Sequence, residues 1–207
     1  MKNKTPIVLP VLNNAAEPKV LLHCCCAPCS SAILEWCENN HIKPTVFYSN
    51  SNIFPHTEYF HRLNEIKNFL LQQDIDFVED TYDHDLWLEH IKGLENEPER
   101  GQRCLNCFEF RLKRAALYAA QHSYNVLATT LASSRWKSLE QIASAGQRAV
   151  ESVAEISKVV FWNQNWRKGG LQERRNSLLK EYGFYNQQYC GCEYSMRSSL
   201  SILKADI

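Results

Sequence analysis

The chain has 207 residues, 44% of them hydrophobic, with five Trp and nine Tyr; that suits one globular domain with a proper core and argues against disorder. Lys+Arg and Asp+Glu stand at 23 each, so the net charge is zero and bulk charge selects neither a nucleic acid nor a membrane, while leaving room for a local basic patch. No stretch approaches the roughly 20 apolar residues of a spanning helix. The run Ile7 to Leu12 is broken by Pro10 and leads into Asn13-Asn14, so the expectation is a cytoplasmic protein with no membrane partner.

In chain order, residues 1–18 read as a loose arm and 19–207 as a single α/β domain. Val20 to Cys24 is a short apolar strand, and Ser30 caps a helix through about Asn39. Pro44 to Ser49, rich in β-branched and aromatic residues, is a second strand. Pro55 starts a helix with Tyr59, Leu63, Ile66 and Leu70 on one face. Ile75 to Val78 is a third strand, Asp83 to Lys92 a helix, and Glu95 to Arg103 a polar loop. An amphipathic helix from Cys104 to Gln121 precedes a fourth strand, Val126 to Thr130. A helix over Ser138 to Val150, a strand over Val159 to Trp162, a helix over Leu171 to Glu181 and a last helix to Leu203 complete the pattern. Such alternation predicts a parallel sheet with helices on both faces, Rossmann-like, with ligands gathered at the carboxyl ends of the strands. The first cysteine cluster and Thr129-Thr130 both fall on that edge.

Nine cysteines carry the chemical signal, and an odd number does not suit a secreted disulfide framework. Cys37, between Ile33, Leu34 and Trp36, reads as a buried core thiol. The other eight are clustered as Cys24-Cys25-Cys26 with Cys29, Cys104 with Cys107, and Cys190 with Cys192. Three successive cysteines cannot share one face of a strand, and Pro28 disfavours helix at Ala27, so a turn is expected in which neighbouring thiolates converge. Cys104 and Cys107 sit three apart at a helix start, where they share a face and the helix end favours thiolate. Two thiolates from each segment make a set that suits zinc or an iron–sulfur cluster equally by ligand type. Cys26-Ala27-Pro28-Cys29 also reads as a thioredoxin-like redox pair, though Cys24 and Cys25 crowd it. The single-residue spacing of Cys190-Gly191-Cys192 suits a strained, reducible disulfide or two unrelated loop thiols.

The segments HCCCAPCS (His23 to Ser30), RCLNCFEFRL (Arg103 to Leu112), ATTLASSRWKSLEQI (Ala128 to Ile142), WRKGG (Trp166 to Gly170) and YCGCEYS (Tyr189 to Ser195) resemble, in that order, the QueH-type epoxyqueuosine reductases. The resemblance implies a HUP-type α/β fold. It also implies reduction of epoxyqueuosine to queuosine at the wobble position of a tRNA anticodon loop, with electrons from a donor of unknown identity. It implies a 4Fe-4S cluster on Cys25, Cys26, Cys104 and Cys107, and a redox-active disulfide between Cys190 and Cys192. A second mononuclear iron, sharing cluster cysteines, takes an Asp ligand in some family members. Here Cys29 stands at that place, which makes the second site thiolate-rich or different. Cys24 is surplus, and a Cys24–Cys25 ligand pair is the alternative to Cys25–Cys26.

Arg135, Lys137, Arg167 and Lys168 flank the expected functional edge as RNA contacts, with Trp136 and Trp166 available for stacking and Gly169-Gly170 offering amides to a phosphate. His23 and Tyr189 flank the cysteine motifs and read as packing or ligand-supporting groups rather than proton donors. No S-G-G-x-D-S pyrophosphate loop follows the first strand, which speaks against ATP use and against an iron–sulfur tRNA thiolase. A zinc-stabilised RNA-binding module is the non-enzymatic alternative.

Overall fold

A computed structural model describes residues 7–10, 12 and 17–196. Strands Val20–Cys24 (β1), Thr45–Tyr48 (β2), Phe77–Glu79 (β3), Val126–Thr129 (β4) and Val160–Phe161 (β5) form one wholly parallel sheet in the order β3-β2-β1-β4-β5. Helices Ala27–Asn39 (α1), His56–Gln72 (α2), His84–His90 (α3), Gln102–Gln121 (α4), Leu139–Glu151 (α5) and Leu171–Glu181 (α6) connect and cover it, with a 3-10 turn at Thr130–Ser133 after β4. α1 packs with α2 and α6, and α4 packs with α5. Crossovers leaving β1 in opposite directions place these two layers on opposite faces of the sheet. All five residues of β1 are buried, as expected of a strand covered on both sides. Gly146 lets α5 approach the sheet: a Cβ there would lie 2.2 Å from the Phe161 ring.

The α/β class and the parallel sheet are as expected, and the differences lie at element ends. α1 begins at Ala27, before Ser30, because a proline in the first helical turn gives up only an N–H that has no partner within the helix. β3 starts at Phe77 rather than Ile75, since the Ile75 N–H is spent on the Leu70 carbonyl at 3.1 Å, closing α2. Strand β4 stops at Thr129, whose hydroxyl accepts from the Leu131 N–H at 3.2 Å and turns the chain into the 3-10 segment. Most of the expected arm and the last helix beyond Met196 lie outside the described residues. Of the arm, Ile7, Leu9 and Leu12 lie against the core, and the Trp162 indole donates to the Val8 carbonyl at 3.0 Å.

Candidate active site

The strand order reverses direction between β1 and β4, and the loops after these two strands diverge there. That is the crevice where ligands of open parallel sheets bind. Cys25 and Cys26 follow β1 directly, and Cys29 lies in the first turn of α1. The Sγ atoms of these three buried cysteines all lie within 4.8 Å of one another, the one group of three metal-ligating side chains among the described residues to do so. From the β4 side, the Thr130 hydroxyl accepts from the Cys25 N–H at 3.1 Å and lies 3.3 Å from Cys25 Sγ.

The three thiols behave as one set. Hydrogen bonds from Cys26 and Cys29 hold Cys25 well below the usual thiol range, with Lys137 and Thr130 assisting. Cys26 and Cys29 are correspondingly pushed up. Without a cation only one of three buried thiols ionises readily; a metal ion removes that limit by compensating the charge. Cys26 Sγ also lies 3.3 Å from Gln187 Oε1, which competes with Cys25 for its single S–H. Cys24 is set apart: its Sγ lies 2.9 Å from Ser30 Oγ, and burial pushes its thiol up. Cys26 Sγ lies 3.8 Å from Cys25 Sγ, whereas Cys24 is engaged with Ser30.

Cys104 and Cys107 lie on the first turns of α4. Cys104 lines the same cavity as the triad, and its Sγ accepts from the Arg100 N–H at 3.3 Å. Cys107 packs one turn on, in a small cluster with Trp87, Ile91, Phe110 and Cys192. Burial pushes Cys104 up to about 11 and Cys107 up to about 12. Cys190 is exposed and Cys192 buried, and all nine cysteines are free thiols. Gly191 between them adopts a φ of +126°, and its carbonyl accepts from the Phe54 N–H at 2.8 Å. Cys37 is buried in α1, where burial pushes it up to about 12.

The cavity lined by Cys25, Cys26, Cys29, Cys104, Cys190 and Cys192, with Cys107 behind its wall, has a volume of about 760 Å³, within the range of about 300–1,000 Å³ usual for small-molecule sites. Eight cationic side chains line it, Arg62, Arg103, Arg111 and Lys137 among them, against one carboxylate, Glu99. A chain of zero net charge therefore concentrates positive charge at its cysteine crevice. Asn52 and Gln187, also on the lining, carry buried polar atoms with no partner among the described residues.

The expected RNA contacts separate. Arg135 is exposed with its guanidinium over the Trp136 ring at 4.8 Å, and Trp136 is 66% exposed. Lys168 is exposed as well. Arg167 instead donates to the Lys137 carbonyl at 2.7 Å and to the Ser134 carbonyl, so its guanidinium braces a loop. Lys137 is half-buried and lines the cysteine cavity, which Arg135, Trp136 and Arg167 border as well. Trp166 is 2% exposed, with its indole donating to the Thr129 carbonyl at 3.0 Å, and is therefore a core residue rather than a stacking platform. His23 is buried between Thr129 Oγ1 at 2.8 Å and the Ser49 carbonyl at 3.1 Å. Tyr189 donates to the Phe54 carbonyl at 2.7 Å. Both hold the frame of the site.

Sequence reasoning missed Arg62, Arg103, Arg111 and Asn50. Arg111 is 2% exposed and donates to the Ser49 carbonyl at 3.2 Å and to Asn50 Oδ1. The signal was present: Arg103, Cys107 and Arg111 recur every fourth residue, on one face of α4.

A family model described as "Epoxyqueuosine reductase QueH" matches residues 20–198. A relative of that description from Acinetobacter baylyi is 43% identical over 197 residues, covering 95% of this chain and 88% of the relative. One from Histophilus somni is 41% identical over 198 residues, covering 95% and 80%. Another from Haemophilus influenzae is 42% identical over 181 residues, covering 87% and 73%.

Proposed function

Because this chain belongs to the epoxyqueuosine reductase QueH family, we propose that it reduces epoxyqueuosine to queuosine in tRNA, using an iron–sulfur centre at the cysteine crevice. The observation that carries the reading is the convergence of Cys25, Cys26 and Cys29 in a cationic cavity that also admits Cys104. Removing the epoxide oxygen as water takes two electrons and two protons, so the protein must hold a redox centre and place the ring beside it.

The donor set fits such a centre. Cys25, Cys26, Cys104 and Cys107 are the thiolates we assign as holding a 4Fe-4S cluster, which takes four cysteine ligands. Cys29 is the thiolate we assign to a second iron, in place of the Asp of other members. When bound, these groups supply electrons and a Lewis acid for the epoxide oxygen.

The chain's own residues do the rest. Arg62, Arg103 and Arg111 offset the negative charge of a thiolate-bound centre. Exposed Arg135 and Trp136 on the cavity's border suit a tRNA backbone and an unstacked base, and exposed Lys168 suits a further phosphate. Cys190 and Cys192 take up and release two electrons as a dithiol–disulfide pair, and the exposed Cys190 is the thiol a reductant reaches first. The reaction belongs in the cytoplasm, where tRNA is modified. No described helix is long and apolar enough to cross a membrane.

The test is anaerobic reconstitution followed by incubation with epoxyqueuosine-containing tRNA, a chemical reductant and no ATP. Queuosine should form, and the protein should be brown. A colourless, zinc-loaded protein that binds tRNA and leaves the epoxide intact would instead be an RNA-binding module.

A further inference from the structure

Two arginines hold every carbonyl of the segment 134–137. Arg100 donates from Nε to the Trp136 carbonyl at 2.9 Å and from Nη2 to the Arg135 carbonyl at 3.2 Å. Arg167 donates to the carbonyls of Ser134 and Lys137. Arg100 comes from the approach to α4 and Arg167 from the approach to α6, so the segment is gripped from two sides. Each guanidinium commits two of its five N–H groups to this segment. Within this grip Trp136 is 66% exposed, Arg135 covers its ring and Lys137 is half-buried, and all three border the cavity that Cys25, Cys29 and Cys190 line. The Lys137 ammonium has no hydrogen bond to any described residue; burial and the Arg111 guanidinium oppose its charged form, and Cys190, Cys25 and Cys29 favour it.

We propose that Lys137 serves the thiolate centre rather than the RNA: it is a fixed positive charge, positioned by Arg100 and Arg167, that stabilises the anionic, electron-rich state of the centre. The proposal rests on the metal-centre reading above and adds a residue to it. The ammonium keeps its charge throughout and acts by Coulomb attraction in a partly water-excluded site, where an ion is felt more strongly than in bulk water. Adding an electron to a thiolate-ligated centre makes it more negative, and a neighbouring cation favours that state. Without the cation, the midpoint potential falls. Lys137 carries no proton or electron in this role, so no further reactant is needed.

The experiment compares wild type with Lys137→Met and Lys137→Arg as reconstituted holoproteins. Four quantities are read: iron content, midpoint potential by spectroelectrochemistry, tRNA affinity and turnover. Lys137→Met should keep its iron, bind tRNA within twofold of wild type, show a lower potential and lose at least tenfold in kcat. Lys137→Arg, with the charge restored, should regain most of the potential. Arg167→Met, which frees the segment, should shift the potential in the same direction by less. An unchanged potential overturns the proposal, and a loss of tRNA affinity beside it makes Lys137 an RNA contact. A second arm uses cobalt(II) alone on the metal-free protein. Lys137→Met should weaken cobalt binding about tenfold, read from thiolate-to-cobalt absorbance, and equal affinity would overturn the proposal. That arm judges Lys137 even if the protein holds no iron–sulfur cluster, a result that would sink the metal-centre reading alone.

Discussion

The guanidinium of Arg62 donates to the backbone carbonyl of Cys190 at 3.2 Å, joining the middle of α2 to the loop that carries the C-G-C pair. The same side chain donates to the Tyr189 carbonyl at 3.3 Å and is paired with Glu58 at 2.6 Å while being only 3% exposed. Arg62→Met should therefore do two things. It takes the guanidinium from a largely buried carboxylate and leaves Glu58 with the Tyr185 hydroxyl at 3.3 Å, at a cost of about 3 kcal/mol in unfolding free energy. It also loosens the loop, so that the buried thiol of Cys192 is alkylated faster. Urea unfolding and timed alkylation check these. Wild-type values in both would remove Arg62 from the support of the loop.

Gly146→Ala should destabilise, although alanine normally improves a helix by about 1 kcal/mol over glycine. The new Cβ would stand 2.2 Å from the Phe161 ring, so α5 must shift off β5. Overpacking of this kind costs about 1–3 kcal/mol. A raised Tm for Gly146→Ala would contradict the close approach of helix and sheet.

The buried ring of His23 should be neutral in the metal-free protein down to strongly acid pH. Burial, followed by the charge of Arg111, lowers its pKa to about 3. The unfolded chain takes up that proton near 6.5. Between those values the unfolded state binds one proton more, so His23 removes stability as the pH falls from about 6.5 toward 3. The slope is at most about 1.4 kcal/mol per pH unit. NMR of the imidazole at pH 5 should show the neutral ring in the folded protein. A midpoint near 6.5 would contradict its burial between Thr129 and Ser49.

The ligand assignment separates structural from chemical cysteines. Cys104→Ser and Cys107→Ser should each abolish the four-iron cluster, since each leaves one iron without its thiolate. Cys37→Ser should keep it, because Cys37 lies in the core away from the cavity. Iron and sulfide analysis after anaerobic reconstitution reads both outcomes. Full loading of Cys107→Ser would overturn the four-cysteine set.

Much of this was legible in the chain itself. Alternating strand and helix patterns gave the parallel sheet, and the turn after β1 was readable from Cys-Cys-Cys-Ala-Pro-Cys because no strand can present three neighbours on one face. What the sequence could not separate was how these cations are held. Arg135, Lys137 and Arg167 look alike as charges, yet Arg135 is exposed, Lys137 is half-buried, and the Arg167 guanidinium is bound to the carbonyls of Ser134 and Lys137. Trp166 failed as an RNA platform for a similar reason: next to Arg167 in sequence, it is claimed by the core and the Thr129 carbonyl. Element ends moved wherever a side chain competed with the backbone ladder, as Thr129 does at the end of β4.

The most direct test of the account is nucleoside mass spectrometry of tRNA carrying epoxyqueuosine. The tRNA is incubated anaerobically with iron–sulfur-reconstituted protein and a chemical reductant, without ATP, beside a parallel sample of Cys104→Ser. The account predicts that the modified nucleoside loses the mass of one oxygen with the wild-type protein and keeps it with the variant. An unchanged epoxide in the presence of a fully loaded wild-type centre would contradict it.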